Sequence, residues 1–187
     1  MDGYSYCLFP VTIEDASFIV ETRLEDKERN KYINETSPNV KVQEDWIESY
    51  FNIPDDYYFV IKNKFTNLRE GLVGINNVKD NKAEWGRWII KKDSVASVES
   101  FYLICRVAFE LLGLDEIYSR TIVDNHTVVA FHDSVNAKRR RIIPKHVVIN
   151  NIAYDSVEHF VTAEHFSTAI KPRLDRLLSM MYKRGCK

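Results

Sequence analysis

The sequence predicts an α/β fold, a mixed and mostly antiparallel central sheet flanked by helices on both faces. Three observations predict it. Apolar residues recur at helical spacing in some segments and at strand spacing in others, in the order β-α-α-β-β-β-α-β-α-β. No repeat, low-complexity tract or Pro/Gly-rich linker divides the 187 residues. At 45% apolar and 12% aromatic, the chain can bury one full core.

The elements follow in order. Tyr4 to Val11 reads as a first strand. Thr12 caps a helix, with Asp15 completing a variant capping box and Ile13, Ala16, Ile19 and Val20 on one face. The polar segment from Glu25 to Asn39 ends in Ser-Pro-Asn and reads as an irregular loop or frayed helix, of a length often functional. Val42, Trp46, Ile47 and Tyr50 give a second helix, broken by Pro54-Asp55-Asp56.

Three strands come next, Tyr57 to Lys62, Gly71 to Val78 and Ala83 to Ile90. The last two are joined by Asp80-Asn81, both types that tolerate positive φ in a two-residue hairpin. Strand alternation puts Trp85 and Trp88 on opposite faces, one in the core and the other free to wall an acceptor pocket. From Val95 to Leu112 apolar residues cover more than one helical stripe, and Gly113 closes that helix in the left-handed conformation. Ile117 to Val123 is a buried strand and Val128 to Val135 a helix. Ile142 to Ile149 and Val157 to Thr162 complete the sheet. The domain is expected over residues 1–170, with 171–187 as an amphipathic helical tail. There Leu174, Leu177, Leu178 and Met181 share a face, and Arg173, Arg176, Lys183 and Arg184 lie elsewhere. Docking on the domain, pairing two subunits as a homodimer and touching a membrane surface are the alternatives for the tail. The first two are favoured, since nothing else suggests a membrane.

Composition excludes several classes. A net charge of −1, from 26 basic and 27 acidic residues, argues against a general polyanion binder, and no nucleic-acid partner is expected. Cys7, Cys105 and Cys186 lie far apart, with no CxxC pair and no histidine spacing suited to zinc, so free thiols and no metal site are expected. The N-terminus lacks the basic segment and apolar run of a signal peptide, and no apolar run approaches the ~20 residues of a membrane span. A cytoplasmic protein without a membrane partner is the expectation.

The run Val107-Ala108-Phe109-Glu110-Leu111-Leu112-Gly113-Leu114, then Ile117-Tyr118-Ser119-Arg120-Thr121, then Asp124-Asn125-His126-Thr127 is a helix ended by glycine, a strand, and a helix opened by asparagine. That order resembles the centre of the GNAT acetyltransferases, over roughly Tyr57 to Arg139. The resemblance implies acetyl-CoA as cofactor and direct acetyl transfer to a primary amine through a tetrahedral intermediate. It implies that Trp88, Ile89 and Ile90 present backbone to the pantetheine arm. It also implies that the following helix start binds pyrophosphate, where unpaired N–H groups and the positive end of the helix dipole suit an anion.

Where the family has Q/R-x-x-G-x-G/A, this chain has Lys92-Asp93-Ser94-Val95-Ala96-Ser97, with valine for the central glycine and an added negative charge at Asp93. Two readings follow. Ser94 and Ser97 donate hydroxyls to phosphate with Lys91 and Lys92 supplying charge, or the loop is only a capped helix start with Asp93 as N-cap. Further on, Asn125 matches the family asparagine, Asn136 stands for its C-capping glycine, and Ala137 replaces its phenylalanine.

His132 occupies the position of the family tyrosine that protonates the departing thiolate. A protonated imidazole, with an unperturbed pKa of ~6.5, suits that role; the alternative is a solvent-facing or packed side chain. Glu84 is the candidate general base, or else a carboxylate paired with Lys82 or Arg87. The run Lys138-Arg139-Arg140-Arg141 either meets an anionic group of cofactor or acceptor or is a solvated turn. Arg23 and the loop from Asp26 to Asn39 are expected to line the acceptor side. The acceptor expected from the resemblance is a small-molecule amine, an amino sugar or nucleotide-linked amino sugar in surface-polysaccharide synthesis. The alternatives are a protein N-terminus, as in ribosomal-protein acetyltransferases, and a catalytically inactive binding module.

Overall fold

The computed structural model describes residues 1–185; Cys186 therefore lies outside the described residues. Its strands are β1 (Tyr6–Pro10), β2 (Tyr57–Asn63), β3 (Arg69–Lys79), β4 (Lys82–Ile90), β5 (Glu116–Ile122), β6 (Lys138–Ile149) and β7 (Ile152–Thr162). They form one seven-stranded sheet in the order β1-β2-β3-β4-β5-β7-β6. Every neighbouring pair is antiparallel except β4 and β5, which run parallel. The mixed, mostly antiparallel sheet read from the sequence is thus the one observed.

Two helices cover one face, α1 (Ala16–Leu24) and α2 (Val40–Tyr50). The start of α1 is built as its residue types predict: Asp15 accepts from the Thr12 N–H at 2.8 Å and from the Thr12 hydroxyl at 3.0 Å. Asn39 caps α2 by accepting the Lys41 N–H. Ile19 and Ile47 from these helices meet Tyr58, Val60 and Leu72 of the sheet in a satellite core.

The main core lies on the other face, under α3 (Ser97–Arg106), α4 (His126–Ser134) and a C-terminal helix. That last helix runs through α5 (Ala163–His165), a π-helical turn Phe166–Ile170 and α6 (Lys171–Gly185). A second π-helical turn, Val107–Leu111, prolongs α3, and Gly113 ends it at φ 65°, as its sequence position predicts. Asp80 and Asn81 have φ of 50° and 61°, the paired left-handed conformation of a type I′ hairpin turn.

Two sequence expectations need correction. Lys138-Arg139-Arg140-Arg141 is the start of β6 and not a solvated turn. Its three arginines are paired across the fold: Arg140 bonds Glu116 of β5 at 2.6 Å, Arg141 reaches Glu158 of β7 at 3.3 Å, and Arg139 forks onto Asp133 near the end of α4. Trp85 and Trp88 do not fall on opposite faces. One extra residue on β4, between the Leu72↔Ile89 and Gly74↔Gly86 pairs, makes a bulge at Arg87, whose φ is 48°. Alternation resets there, and the two indoles sit with ring centroids 5.7 Å apart.

The tail helix α6 docks on the domain. Leu174 and Leu178 are 3% and 2% exposed, and Asp175 accepts from the Tyr102 hydroxyl at 2.6 Å and the Tyr4 hydroxyl at 3.2 Å. Leu178→Ala is expected to cost about 2–4 kcal/mol by urea denaturation, while Met181→Ala costs under about 1 kcal/mol. Equal small effects would show that α6 does not belong to the folding core.

Candidate active site

The parallel pairing of β4 and β5 is short: Lys82↔Glu116, Ala83↔Ile117 and Glu84↔Tyr118. Beyond Glu84 the strands part, because β5 continues its pairing with β7 to Ser156 while β4 follows β3 to Gly71. The wedge opens a cleft of about 530 Å³, walled by Trp88, Ile89 and Ile90 on β4 and by Ser97, Asn125 and Phe131 from the helices opposite. Glu28 to Ile33, in the connection between α1 and α2, form its remaining wall. Tyr32 ties that connection down by donating to the Asp124 carbonyl at 3.3 Å and stacking edge-on with Tyr154.

Of the residues predicted to hold a cofactor, Trp88, Ile89, Ile90, Ser97 and Asn125 come together on this cleft. Trp88 is fixed there by an indole N–H bond to the Ser100 hydroxyl at 3.0 Å and by the Phe131 ring, 4.6 Å between centroids. Asn125 is the N-cap of α4. Lys92, Ser94, Val95 and Ala96 belong to the loop leading into α3 and do not line the cleft. There the Lys92 N–H bonds the Glu25 carboxylate at 3.1 Å, the Ser94 hydroxyl donates to Glu70 at 2.6 Å, Val95 is 68% exposed and Ala96 is buried. The N-cap of α3 is Ala96 and not Asp93, which instead takes the left-handed conformation at φ 67°. Alanine has no side-chain acceptor, so the N-cap residue itself leaves the first-turn N–H groups of α3 uncapped. An uncapped helix start bordering a cleft of this volume fits an anionic cofactor group at Ser97.

Glu84 stands at the vertex, on the last rung before the strands separate. Its side chain points away from the α3 face, accepting from Asn77 at 3.1 Å and Arg120 at 3.3 Å and leaving 21% of its surface exposed. The expected partners Lys82 and Arg87 are engaged elsewhere, on Glu116 and Asp56.

His132 has a different setting. It is 2% exposed, stacks on His159 with centroids 5.0 Å apart, and meets the edge of Trp85 at 5.2 Å. Its Nε2 lies 3.4 Å from the Ser119 hydroxyl, and its Nδ1 is buried without a partner. Burial, reinforced by His159, pulls it down to about 3, so the imidazole is neutral at ordinary pH. It supports Trp88 from behind rather than facing the cleft.

A second cavity of about 330 Å³ lies on the α1/α2 face. Arg23, Thr36, Gln43, Trp46, Tyr58 and Arg87 line it, together with Glu35. The bulge turns Arg87 into this cavity, where Asp56 holds its fork at 2.5 and 2.7 Å and the rings of Trp46, Tyr50 and Tyr58 surround it at 5.4–5.9 Å. Arg23 has only neutral partners, Thr36 Oγ1 at 2.6 Å and the Asn34 carbonyl at 3.1 Å. Burial, with Arg87 nearby, lowers its pKa from the usual value. Sequence reading placed Arg23 and the loop on this side but missed Trp46, Tyr58 and the Asp56–Arg87 pair. Only the bulge aims Arg87, and no residue pattern announces a bulge.

Comparison with known proteins agrees with this architecture. Residues 6–145 match the model of the acetyltransferase (GNAT) domain family, and the chain belongs to that family. It is an acyltransferase by membership and fold. Among solved structures it is similar to apo FdhC, described as a nucleotide-linked sugar GNAT, at 25% identity, with 89% of this chain and 92% of that one covered and a TM-score of 0.75. It is also similar to a mutant of the spermidine N-acetyltransferase SpeG from Vibrio cholerae, at 15% identity, 89% and 98% coverage and a TM-score of 0.77, which shows the fold. No curated protein matches the chain. Among the described residues, no group of three or more His, Cys, Asp and Glu side chains is arranged to hold a metal ion, and no helix is long and apolar enough to cross a membrane.

The neutral His132 sets a pH dependence. The unfolded chain binds a proton there below about 6.5, and the folded chain does not until about 3, so stability is full above that window and is lost as pH falls through it. Urea denaturation is expected to lose about 3 kcal/mol from this group by pH ~4, and His132→Phe to flatten the slope. An unchanged slope in the variant would remove His132 as the source.

Proposed function

We propose that this GNAT acyltransferase is an acetyl-CoA-dependent N-acetyltransferase whose acceptor is the primary amine of a nucleotide-linked amino sugar, of the kind used in surface-polysaccharide synthesis. The observation that carries the reading is the cavity on the α1/α2 face. It joins an indole, Trp46, with amide and hydroxyl side chains, Gln43 and Thr36, and with two guanidiniums, of which Arg87 is paired with Asp56 and Arg23 has only neutral hydrogen-bond partners. An aromatic plate with hydrogen-bonding side chains suits a sugar ring, and Arg23, bonded to no carboxylate, suits an attached phosphate. The similarity to a nucleotide-linked sugar GNAT supports the same acceptor class.

In this reading Trp88, Ile89, Ile90 and Asn125 hold the pantetheine side of the cofactor. Ser97, at the start of α3, holds its phosphates through backbone N–H groups, whereas Lys92, Ser94, Val95 and Ala96 stand off the cleft and take no part. Bound acetyl-CoA supplies the acetyl group as a thioester. An amine attacks only when neutral, and in this reading Glu84 takes its proton; what supports it is a carboxylate at the point where β4 and β5 part, held by Asn77 and Arg120. Neutral His132 is a positioning residue in this scheme: it holds Trp88 and Trp85 in place, and with them the cleft wall.

The test is an acetyl-CoA-dependent screen of amino sugars, nucleotide-linked amino sugars, spermidine and N-terminal peptides. Transfer to a nucleotide-linked amino sugar is expected, with kcat falling about 10²-fold in Glu84→Gln and the acceptor KM rising about tenfold in Trp46→Ala. Transfer to spermidine alone would overturn the acceptor assignment. Full activity in Glu84→Gln would overturn the assignment of the base.

A further inference from the structure

A third cavity, of about 440 Å³, opens beside the acceptor cavity and belongs to neither site described above. The two share Arg23, Asn34, Glu35 and Thr36, so they meet at the Arg23 side chain. The third cavity shares Asn30, Lys31 and Ile33 of the loop with the cofactor cleft, and its own walls are Leu24 and Lys27 at and just past the end of α1 and Ile149 and Asn150 at the β6–β7 turn.

The charges are unbalanced. Arg23, Lys27 and Lys31 face the cavity against the single lining carboxylate of Glu35. Among the described residues Lys27 has no ion pair, and Lys31 has only Glu28 at 3.6 Å, with the Glu28 side chain 90% exposed. Arg23 spends its Nε and one terminal nitrogen on Thr36 and Asn34, and its other terminal nitrogen has no partner among the described residues. A cation withdrawn from water, with a donor still free and no carboxylate beside it, is set for an anion that arrives with the ligand. The nearby carboxylates do not compensate it: Asp26 accepts the N–H groups of Glu28 and Arg29, and Glu25 is turned to Lys91 and Lys92.

We propose that this cavity is the seat of the nucleoside diphosphate half of the acceptor, with its phosphates bridging Arg23, Lys27 and Lys31 and its glycosyl end continuing past Arg23 into the Trp46 cavity. The inference rests on the nucleotide-linked acceptor proposed above and adds where and by which residues the nucleotide is recognised. Two lysines at a rim and one guanidinium at the junction match a diphosphate, which carries its charge on two adjacent groups. Leu24, Ile33 and Ile149 leave apolar wall for the nucleoside. Arg23 would thereby set specificity for the activated sugar over the free one.

Lys31 also borders the cofactor cleft, so the experiment must separate the two ligands. The protein saturated with CoA is titrated calorimetrically with UDP and with dTDP as probes, for wild type and for the Lys27→Ala/Lys31→Ala double variant, whose side chains are exposed and make no core contact. Binding of at least one diphosphate is expected, weakened about tenfold or more in the double variant and in Arg23→Gln. In turnover, the single variant Lys27→Ala, at a residue that borders neither of the other two cavities, should raise the KM of a nucleotide-linked amino sugar several-fold and leave that of acetyl-CoA and of the same sugar without its nucleotide within about twofold. The inference is overturned if neither diphosphate binds the CoA-saturated protein, if the double variant binds them as tightly as wild type, or if the change falls on the KM of acetyl-CoA. Diphosphate binding that depends on these lysines, with no transfer to any nucleotide-linked sugar, would uphold the cavity and overturn the acceptor reading alone.

Discussion

The parting of β4 from β5 after Glu84↔Tyr118 is the constraint on which the site depends. Parallel strands bond to one another only while they stay about 4.8 Å apart. Here each is drawn off by its other neighbour, β4 by β3 and β5 by β7. The backbone edge of β4 from Trp88 to Ile90 is thereby left facing a cleft, and the helices α3 and α4 that follow the two strands deliver Ser97, Asn125 and Phe131 to it. Without the separation these residues would have no common space.

The bulge at Arg87 works with that wedge. One added residue sends Trp88 back to the side of Trp85, where it becomes a cleft wall, and sends Arg87 to the α1/α2 face, where it organises an aromatic cavity. One strand thus lines two cavities. The connection between α1 and α2 borders all three cavities, and Arg23 anchors it by bonding Thr36 and Asn34.

Much of this fold was legible in residue types. Thr12 with Asp15, Asp80-Asn81, Gly113 and Asn125 are local signals whose meaning comes from backbone geometry, and each took the conformation its chemistry prefers. Other signals misled because the deciding partner is distant in sequence. Lys138 to Arg141 read as a solvated turn or an anion-binding run, yet the segment is strand, and Glu158 and Glu116, on β7 and β5, pair with two of its arginines. Asp93 read as an N-cap, but the helix begins three residues later.

The sequence by itself determined the order of elements, the caps and turns that bound them, and the family, because these depend on neighbours a few residues apart. Only the tertiary structure decided which side chains share a cavity. Trp46, Tyr58 and Arg87 meet because an extra strand residue rotates the last of them, and His132 is neutral because four aromatic or imidazole rings exclude water from it. Burial and strand register are sums over the whole fold, and no short stretch of chain carries them.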